Sequence, residues 1–172
     1  MTLIRPLPTT KSRLAEDRQK FVAFPIANQT LAIPLSNVLR VLRHEPDKQD
    51  SDLNRLGLLQ IGRYTIRVLN LHQWLTPNFT SVNPTSQPFL IVARSAEWEP
   101  FCIWADGLPD LVELAPNAWR SLPPSASASS GFLELISHTA AVAYGEGNKT
   151  VFLLDIPRAL NARAPEIMAL PS

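Results

Sequence analysis

Phe89-Leu-Ile-Val-Ala-Arg94, a short polar turn, then Phe101-Cys-Ile-Trp-Ala-Asp106-Gly107-Leu-Pro-Asp110 is the stretch that decides the fold. It reads as an apolar strand, a turn and a second apolar strand ending in Asp-Gly. The same grammar appears earlier, in Phe21-Val-Ala-Phe24, a turn at Ala27-Asn-Gln-Thr30, and Leu31-Ala-Ile33. Two strand pairs of this kind suggest paired small β-barrels. Neither pair carries a nucleophile, a metal cluster or a phosphate loop. The chain reads as built to hold partners rather than to do chemistry.

Composition sets the bounds. A chain of 172 residues, 45% hydrophobic and 18% charged, is one domain or two small lobes sharing a core. A chain of this length removes roughly 70% of its unfolded surface from water. Sixteen Lys and Arg face 15 Asp and Glu for a net charge of +1, which gives no strong electrostatic footprint for nucleic acid or an anionic membrane. The single Cys102, inside an apolar run, excludes a disulfide framework and fits a reducing compartment. No window approaches the ~18 consecutive apolar residues of a membrane span. The start, Met1-Thr-Leu-Ile-Arg5-Pro, lacks the apolar region of a secretory signal. A cytoplasmic protein without cofactors is expected.

Working outward, residues 1–19 read as a flexible leader, with Pro6, Pro8 and a mixed-charge run from Lys11 to Gln19. Strands follow at 21–26 and 31–35, with Asn28 placed in the turn for its tolerance of left-handed geometry. Leu35, Val38, Leu39 and Leu42 fit a short helical turn capped by Ser36 that runs into a strand. Residues 44–55 are a polar loop. Gly57–Ile61 and Tyr64–Leu69 form a strand pair around Gly62-Arg63, followed by a helical turn from Leu71 to Leu75. The proline-containing segment 77–88 is the expected boundary between lobes at roughly 20–76 and 88–154. Ser121 to Ser130 is a low-complexity loop, and strands resume at Phe132–Ile136, Thr139–Tyr144 and Thr150–Leu154. Glu146-Gly147-Asn148 is the expected last hairpin turn. A closing helical turn at 155–160, with Asp155 as N-cap, precedes a tail at 162–172. Short strands with little helix place the chain in the all-β class.

Phe21–Arg43, Gly57–Leu71, Asp106–Pro124 and Thr150–Leu160 together resemble the CheW family of chemotaxis coupling proteins, which includes the CheW-like regulatory domain of CheA histidine kinases. The most recognisable pieces are Phe-Val-Ala-Phe24 with its hairpin, Asp106-Gly107 with Asp110, and Val151-Phe-Leu-Leu-Asp155. No single piece is specific; their order and spacing over 20–161 carry the resemblance. It implies two five-stranded SH3-like barrels side by side with an apolar groove between them. It also implies a non-enzymatic adaptor that couples the helical hairpin tip of a chemoreceptor (a methyl-accepting protein) to the regulatory domain of a CheA-type histidine kinase.

Carried across, Val38 and Gly57 match receptor-facing positions and Ile61 lies in a strand-turn used for partner contact. The chain reads Gln60-Ile61-Gly62-Arg63 where the family has Asn-Leu-Arg-Gly, so the contacting arginine falls on Gly62 and Arg63 follows it. A one-residue shift in a strand reverses the face, so Arg63 replaces that arginine only where a turn or bulge re-aims it. Arg40 stands at a position acidic in familiar members, and Asn70 replaces the acidic residue usual at the strand end. These departures mark a divergent member. Trp98, between Glu97 and Glu99 in a hairpin turn, is a further candidate partner contact.

Rival readings meet the same residues. An enzyme needs convergent polar groups, yet His44, His72 and His138 lie far apart, and Cys102 between Phe101 and Ile103 reads as a buried thiol rather than a nucleophile. Asp106 reads as a strand-end carboxylate capping the turn to Leu108-Pro109 rather than a catalytic acid. Arg63, Tyr64, Arg67, Arg94 and Trp98 could form a nucleic-acid face of a small barrel, but the near-neutral charge and the carboxylates beside Trp98 oppose it. Trp74, Trp104 and Trp119 are expected in the core or between lobes. An isolated kinase regulatory module shares the fold, but the chain has no phosphoacceptor helix or ATP-binding signature, so it is not itself a kinase.

Overall fold

The computed structural model describes residues 17–43, 57–75, 89–123 and 131–162. The leader before residue 17, the 44–55 loop, the 77–88 segment, most of the Ser-rich loop and the tail after 162 lie outside the described residues. In chain order the strands are β1 (Gln19–Ile26), β2 (Gln29–Pro34), β3 (Val38–Arg43), β4 (Leu58–Ile61), β5 (Tyr64–Leu69), β6 (Phe89–Arg94), β7 (Pro100–Ala105), β8 (Asp110–Leu114), β9 (Arg120–Ser121), β10 (Ile136–Tyr144) and β11 (Gly147–Leu154). Helix α1 (His72–Leu75) follows β5 and α2 (Ile156–Asn161) follows β11; 3-10 turns occupy Leu35–Asn37, Pro116–Ala118 and Gly131–Leu135. None of these helices is long and apolar enough to cross a membrane.

The strands form two sheets, a six-stranded sheet A in the order β8-β1-β2-β11-β10-β9 and a five-stranded sheet B in the order β3-β6-β7-β5-β4. Each curls around its own apolar cluster. In sheet B, Leu42 on one edge strand meets Leu59 and Ile61 on the other edge over Ile66, Leu90, Val92 and Cys102. In sheet A, Val112 and Leu114 on the β8 edge meet Ala140 and Val142 of β10 over Phe21, Ala23 and Ala32.

The opposite faces of the same strands build a third and larger cluster where the sheets meet. Phe24, Ile26, Leu31 and Ile33 from sheet A pack with Ile91, Ala93, Phe101, Ile103 and Leu69 from sheet B. Leu135, Ile136, Leu154 and the apolar side of α2 (Ile156, Ala159, Leu160) complete it. Alternate side chains of a strand point to opposite faces. With both faces covered, polar alternation disappears and the strands read as continuous apolar runs. That is the physical origin of Phe89-Leu-Ile-Val-Ala and Phe101-Cys-Ile-Trp-Ala.

Several expectations are corrected. The lobes do not divide at 77–88: β6 and β7 join β3–β5 in sheet B, while β1 and β2 join β8–β11 in sheet A. The chain starts sheet A, leaves to complete sheet B, and returns. β1 pairs with β8 and β2 runs parallel to β11, pairings between strands too distant for local turn signals to announce. Sheet A also gains a sixth strand, the two-residue β9, against β10. Ser36 lies within its 3-10 turn, whose N-cap position is Pro34, with no side-chain cap. Phe132 to Leu135 is 3-10 turn rather than strand. The last hairpin turns at Gly145-Glu146, since Tyr144 faces Gly147. Asp155 does cap α2, its Oδ1 accepting the Arg158 N–H at 3.1 Å.

Candidate functional site

The residues nominated for partner contact all lie on sheet B. Val38 opens β3 opposite Ala93, half-buried against the inter-sheet core. Arg40 lies two residues on, exposed, after a register irregularity between Val38 and Arg40 that leaves Leu39 as a bulge. Gly57 precedes β4, and its carbonyl accepts the Val68 N–H at 2.7 Å. Ile61 ends β4 and packs half-buried on the sheet B cluster, so it serves the core as well as the rim.

Ile61 faces Tyr64 across a two-residue turn made by Gly62 and Arg63. Gly62 has φ +60 and Arg63 does not have a positive φ. Such a turn takes glycine at its first central position, because its twist matches that of the flanking strands and no L side chain sits there without strain. Exchanging Arg and Gly relative to the family pattern thus moves the arginine onto the second turn position, exposed and outside the strand alternation. β3 and β4 are the two edges of sheet B, so these nominees sit on its edge elements.

Trp98 is placed by the β6–β7 hairpin. Ser95 is buried and its Oγ accepts the N–H groups of Glu97 (3.2 Å) and Glu99 (3.1 Å). The Ser95 carbonyl accepts the Trp98 N–H at 3.0 Å. Trp98 itself has φ +66, a left-handed conformation that glycine or asparagine ordinarily supplies. The residue is 70% exposed, with the Arg94 guanidinium 3.5 Å from the ring centroid. Arg94 also donates to the Ser36 carbonyl at 3.3 Å, and Asn37 Nδ2 donates to the Arg94 carbonyl at 2.9 Å. The indole is therefore tied to the 3-10 turn that leads into β3.

The nucleic-acid face loses two of its cations to internal contacts. Arg67 donates to the Leu160 carbonyl at 2.6 Å and pairs with Glu99 at 3.9 Å, while Arg94 is stacked on Trp98. Trp74 packs against the inter-sheet core, Trp104 against the sheet B cluster and Trp119 edge-on to Phe21, with centroids 5.0 Å apart. Among the described residues no group of three or more His, Cys, Asp or Glu could hold a metal ion.

One polar constellation was not legible in sequence. His72 and Asp106 are 34 residues apart, yet His72 Nε2 lies 2.8 Å from Asp106 Oδ1. A carboxylate only accepts, so Nε2 carries the proton. The second oxygen, Oδ2, accepts the Ala27 N–H at 2.6 Å, and the Asp106 N–H donates to the Pro25 carbonyl at 2.9 Å. Asp106 therefore caps the β1–β2 turn in the other sheet rather than its own turn. Ala27, not Asn28, takes the positive φ of 52° there, held by that bond. Gly107 lies close beside it: a Cβ there would sit 3.1 Å from Pro25 Cγ, so any side chain would press on the proline ring. The constellation fastens α1 and β7 to the β1–β2 hairpin.

Cys102 is fully buried, and burial raises its thiol from an ordinary value of 9.0 to about 12. At pH 8 only about one thiol in ten thousand is ionised, so alkylation by iodoacetamide should be negligible until the protein is unfolded. Rapid labelling of native protein would show that the strand opens. A folded value above the unfolded one means that the unfolded chain sheds this proton first. The thiol's contribution is therefore intact below about pH 9 and is lost progressively between 9 and 12.

A second exposed surface lies on sheet A. Leu108, Leu111 and Tyr144 are exposed near Asp110, whose Oδ2 accepts from Tyr144 Oη at 3.4 Å and whose Oδ1 accepts the Leu111 N–H at 2.9 Å. The ammonium group of Lys149 sits 5.0 Å from the Tyr144 ring centroid.

The profile of the CheW-like domain family matches residues 20–164. No curated protein matches the chain. Among solved structures, the scaffolding protein TtCheW from Thermoanaerobacter tengcongensis is similar with a TM-score of 0.60 and 12% sequence identity, over 97% of each chain. At that identity the likeness is one of fold.

Proposed function

We propose that this chain, which belongs to the CheW-like domain family over residues 20–164, is a non-catalytic adaptor of a chemotaxis-like signalling system. In this reading it couples the hairpin tip of a methyl-accepting chemoreceptor to the regulatory domain of a CheA-type histidine kinase. It works in the cytoplasm, at the face of membrane-bound receptor arrays, without a cofactor.

The observation that supports coupling is that both sheets carry large exposed apolar residues. Sheet B offers Leu39, Val41, Tyr64 and Trp98; sheet A offers Leu108 and Leu111 with Tyr144. Large exposed apolar side chains mark candidate interaction faces. An adaptor needs two such faces to engage two partners at once. We assign the receptor to sheet B, with Val38, Arg40, Gly57, Ile61, Gly62, Arg63 and Trp98 as the contact set, and the kinase domain to sheet A.

Calorimetric titration of the protein with the regulatory domain of a CheA-type kinase from the same genome should show one-to-one binding at about micromolar affinity or tighter. Leu111→Asp, at an exposed position, should weaken it by about tenfold or more while leaving the circular dichroism spectrum unchanged. Absence of binding by folded wild-type protein would remove the kinase from the reading. Salt-sensitive retention on heparin or DNA would favour the nucleic-acid alternative instead.

A further inference from the structure

One end of sheet B carries two exposed aromatic side chains. By strand alternation Arg94 follows Leu90 and Val92 onto the face of the sheet B cluster, and Tyr64 follows Ile66 and Val68 onto the same face. Pro100 follows Cys102 there on β7, which runs between their strands. The parallel register that sets Arg67 opposite Phe101 brings the start of β5 to the β6–β7 turn. Tyr64 and Trp98 are both mostly exposed, and the Trp98 ring lies on the Arg94 guanidinium. Two strand spacings separate β6 from β5, so the stacked indole and the phenol flank exposed Pro100 at about 10 Å from each other. Glu97 and Glu99 border Trp98 in the turn, both exposed. Trp98 takes the third loop position, where the left-handed residue of such a hairpin is ordinarily glycine. Strain of that kind concentrates where a side chain serves binding.

The chain itself supplies a matching segment. Arg5-Pro6-Leu7-Pro8 is a Pro-x-Pro run led by a cation. Proline fixes φ, so such a run is preset for the polyproline II form, which docks on aromatic side chains at little cost in entropy. At about 3.1 Å per residue its three steps cover about 9 Å, the interval between the two rings. Arg5 suits the carboxylates of the turn. The leader joins the described fold at β1, where Phe21 pairs with Pro34, just before the 3-10 turn whose Ser36 carbonyl binds Arg94. Residues 9–18 are the tether. A ten-residue coil spans about 18 Å, close to the length of a six-residue strand. It holds the segment at about millimolar effective concentration, so even a weak proline–aromatic contact is occupied.

We infer that the Tyr64–Trp98 end of sheet B is a docking site in cis for the leader segment Arg5-Pro6-Leu7-Pro8, with its prolines on the two rings and Arg5 at Glu97. The docked leader covers Trp98, and any partner of this face has to displace it.

The test places a nitroxide label on the full chain through Thr9→Cys. Cys102 is buried and its thiol is pushed up to about 12, so the label attaches at the introduced position alone. In a two-dimensional NMR spectrum the Trp98 indole N–H and the Tyr64 amide should lose about half their intensity or more, as a millimolar contact at that effective concentration requires. Leu111 and Tyr144 on sheet A should keep theirs. Pro6→Gly with Pro8→Gly should restore both signals, and Arg5→Glu should restore them in part. Adding Glu97→Arg to Arg5→Glu should bring the loss back. Trp98→Gly, read at Tyr64, should restore the signal in a folded chain, since glycine suits the left-handed position.

Equal losses on both sheets, or a loss that the paired glycine substitutions leave unchanged, would overturn the site. A loss passed from labelled chains to unlabelled, isotope-enriched chains in a mixture would overturn docking in cis. A label at Ser172→Cys that broadens Trp98 where Thr9→Cys does not would make the tail the occupant and overturn the leader. No receptor or kinase enters the test, so each of these outcomes leaves the coupling reading standing.

Discussion

Asp106→Ala will lower the unfolding free energy by about 2 kcal/mol, the loss expected when the shared acceptor of two hydrogen bonds is removed from a part-buried site. One substitution takes the acceptor from His72 Nε2–H, on a residue only 7% exposed, and from the Ala27 N–H. One donor lies on α1, which follows β5 of sheet B, and the other in the β1–β2 turn of sheet A, so the damage reaches the joint between the sheets. Asp106→Asn keeps an amide oxygen for one donor and should cost about half as much. Urea unfolding followed by tryptophan fluorescence measures both. A loss below about 1 kcal/mol for the alanine variant would mean that the constellation is solvated and does not fasten the lobes.

Phe101→Ala is expected to cost about 4 kcal/mol, through lost transfer free energy and the cavity left behind. Phe101 is fully buried in the inter-sheet cluster, on the strand that runs parallel to β5 and antiparallel to β6. Its neighbours come from both sheets, so local collapse cannot refill the space. The cluster is shared, so signals from both sheets should be lost in one transition, in the variant as in the wild type. Trp119 reports on sheet A and Trp104 on sheet B, so single-tryptophan variants separate the two. Two transitions in the wild type would show that the inter-sheet core does not couple the lobes.

Much of the architecture was legible because its causes are local. Gly62-Arg63 between Ile61 and Tyr64 announced a two-residue turn. Pro157 one residue beyond Ile156, after Asp155, announced a capped helix start. Exposure of Trp98 between two glutamates and burial of Cys102 between Phe101 and Ile103 also followed from neighbours in the chain. Where two local signals competed, the chain alone did not arbitrate. Asn28 suits left-handed geometry better than Ala27, yet a carboxylate 79 residues away holds Ala27 there. Phe132 to Leu135 has strand composition, but its place over Trp74 and α2 favours a 3-10 turn.

By itself the sequence determined the all-β class, nearly every strand and the family, because apolar runs, turn glycines and their spacing act within a few residues. Only the tertiary structure decided which strands share a sheet. It also decided that Asp106 serves a turn in the other lobe, and that Arg94 ties Trp98 to the 3-10 turn before β3. Those outcomes depend on which faces find each other once the chain has closed on itself. Pairing energy between distant strands is set by complementary buried area and unsatisfied backbone groups, and neither belongs to any short segment.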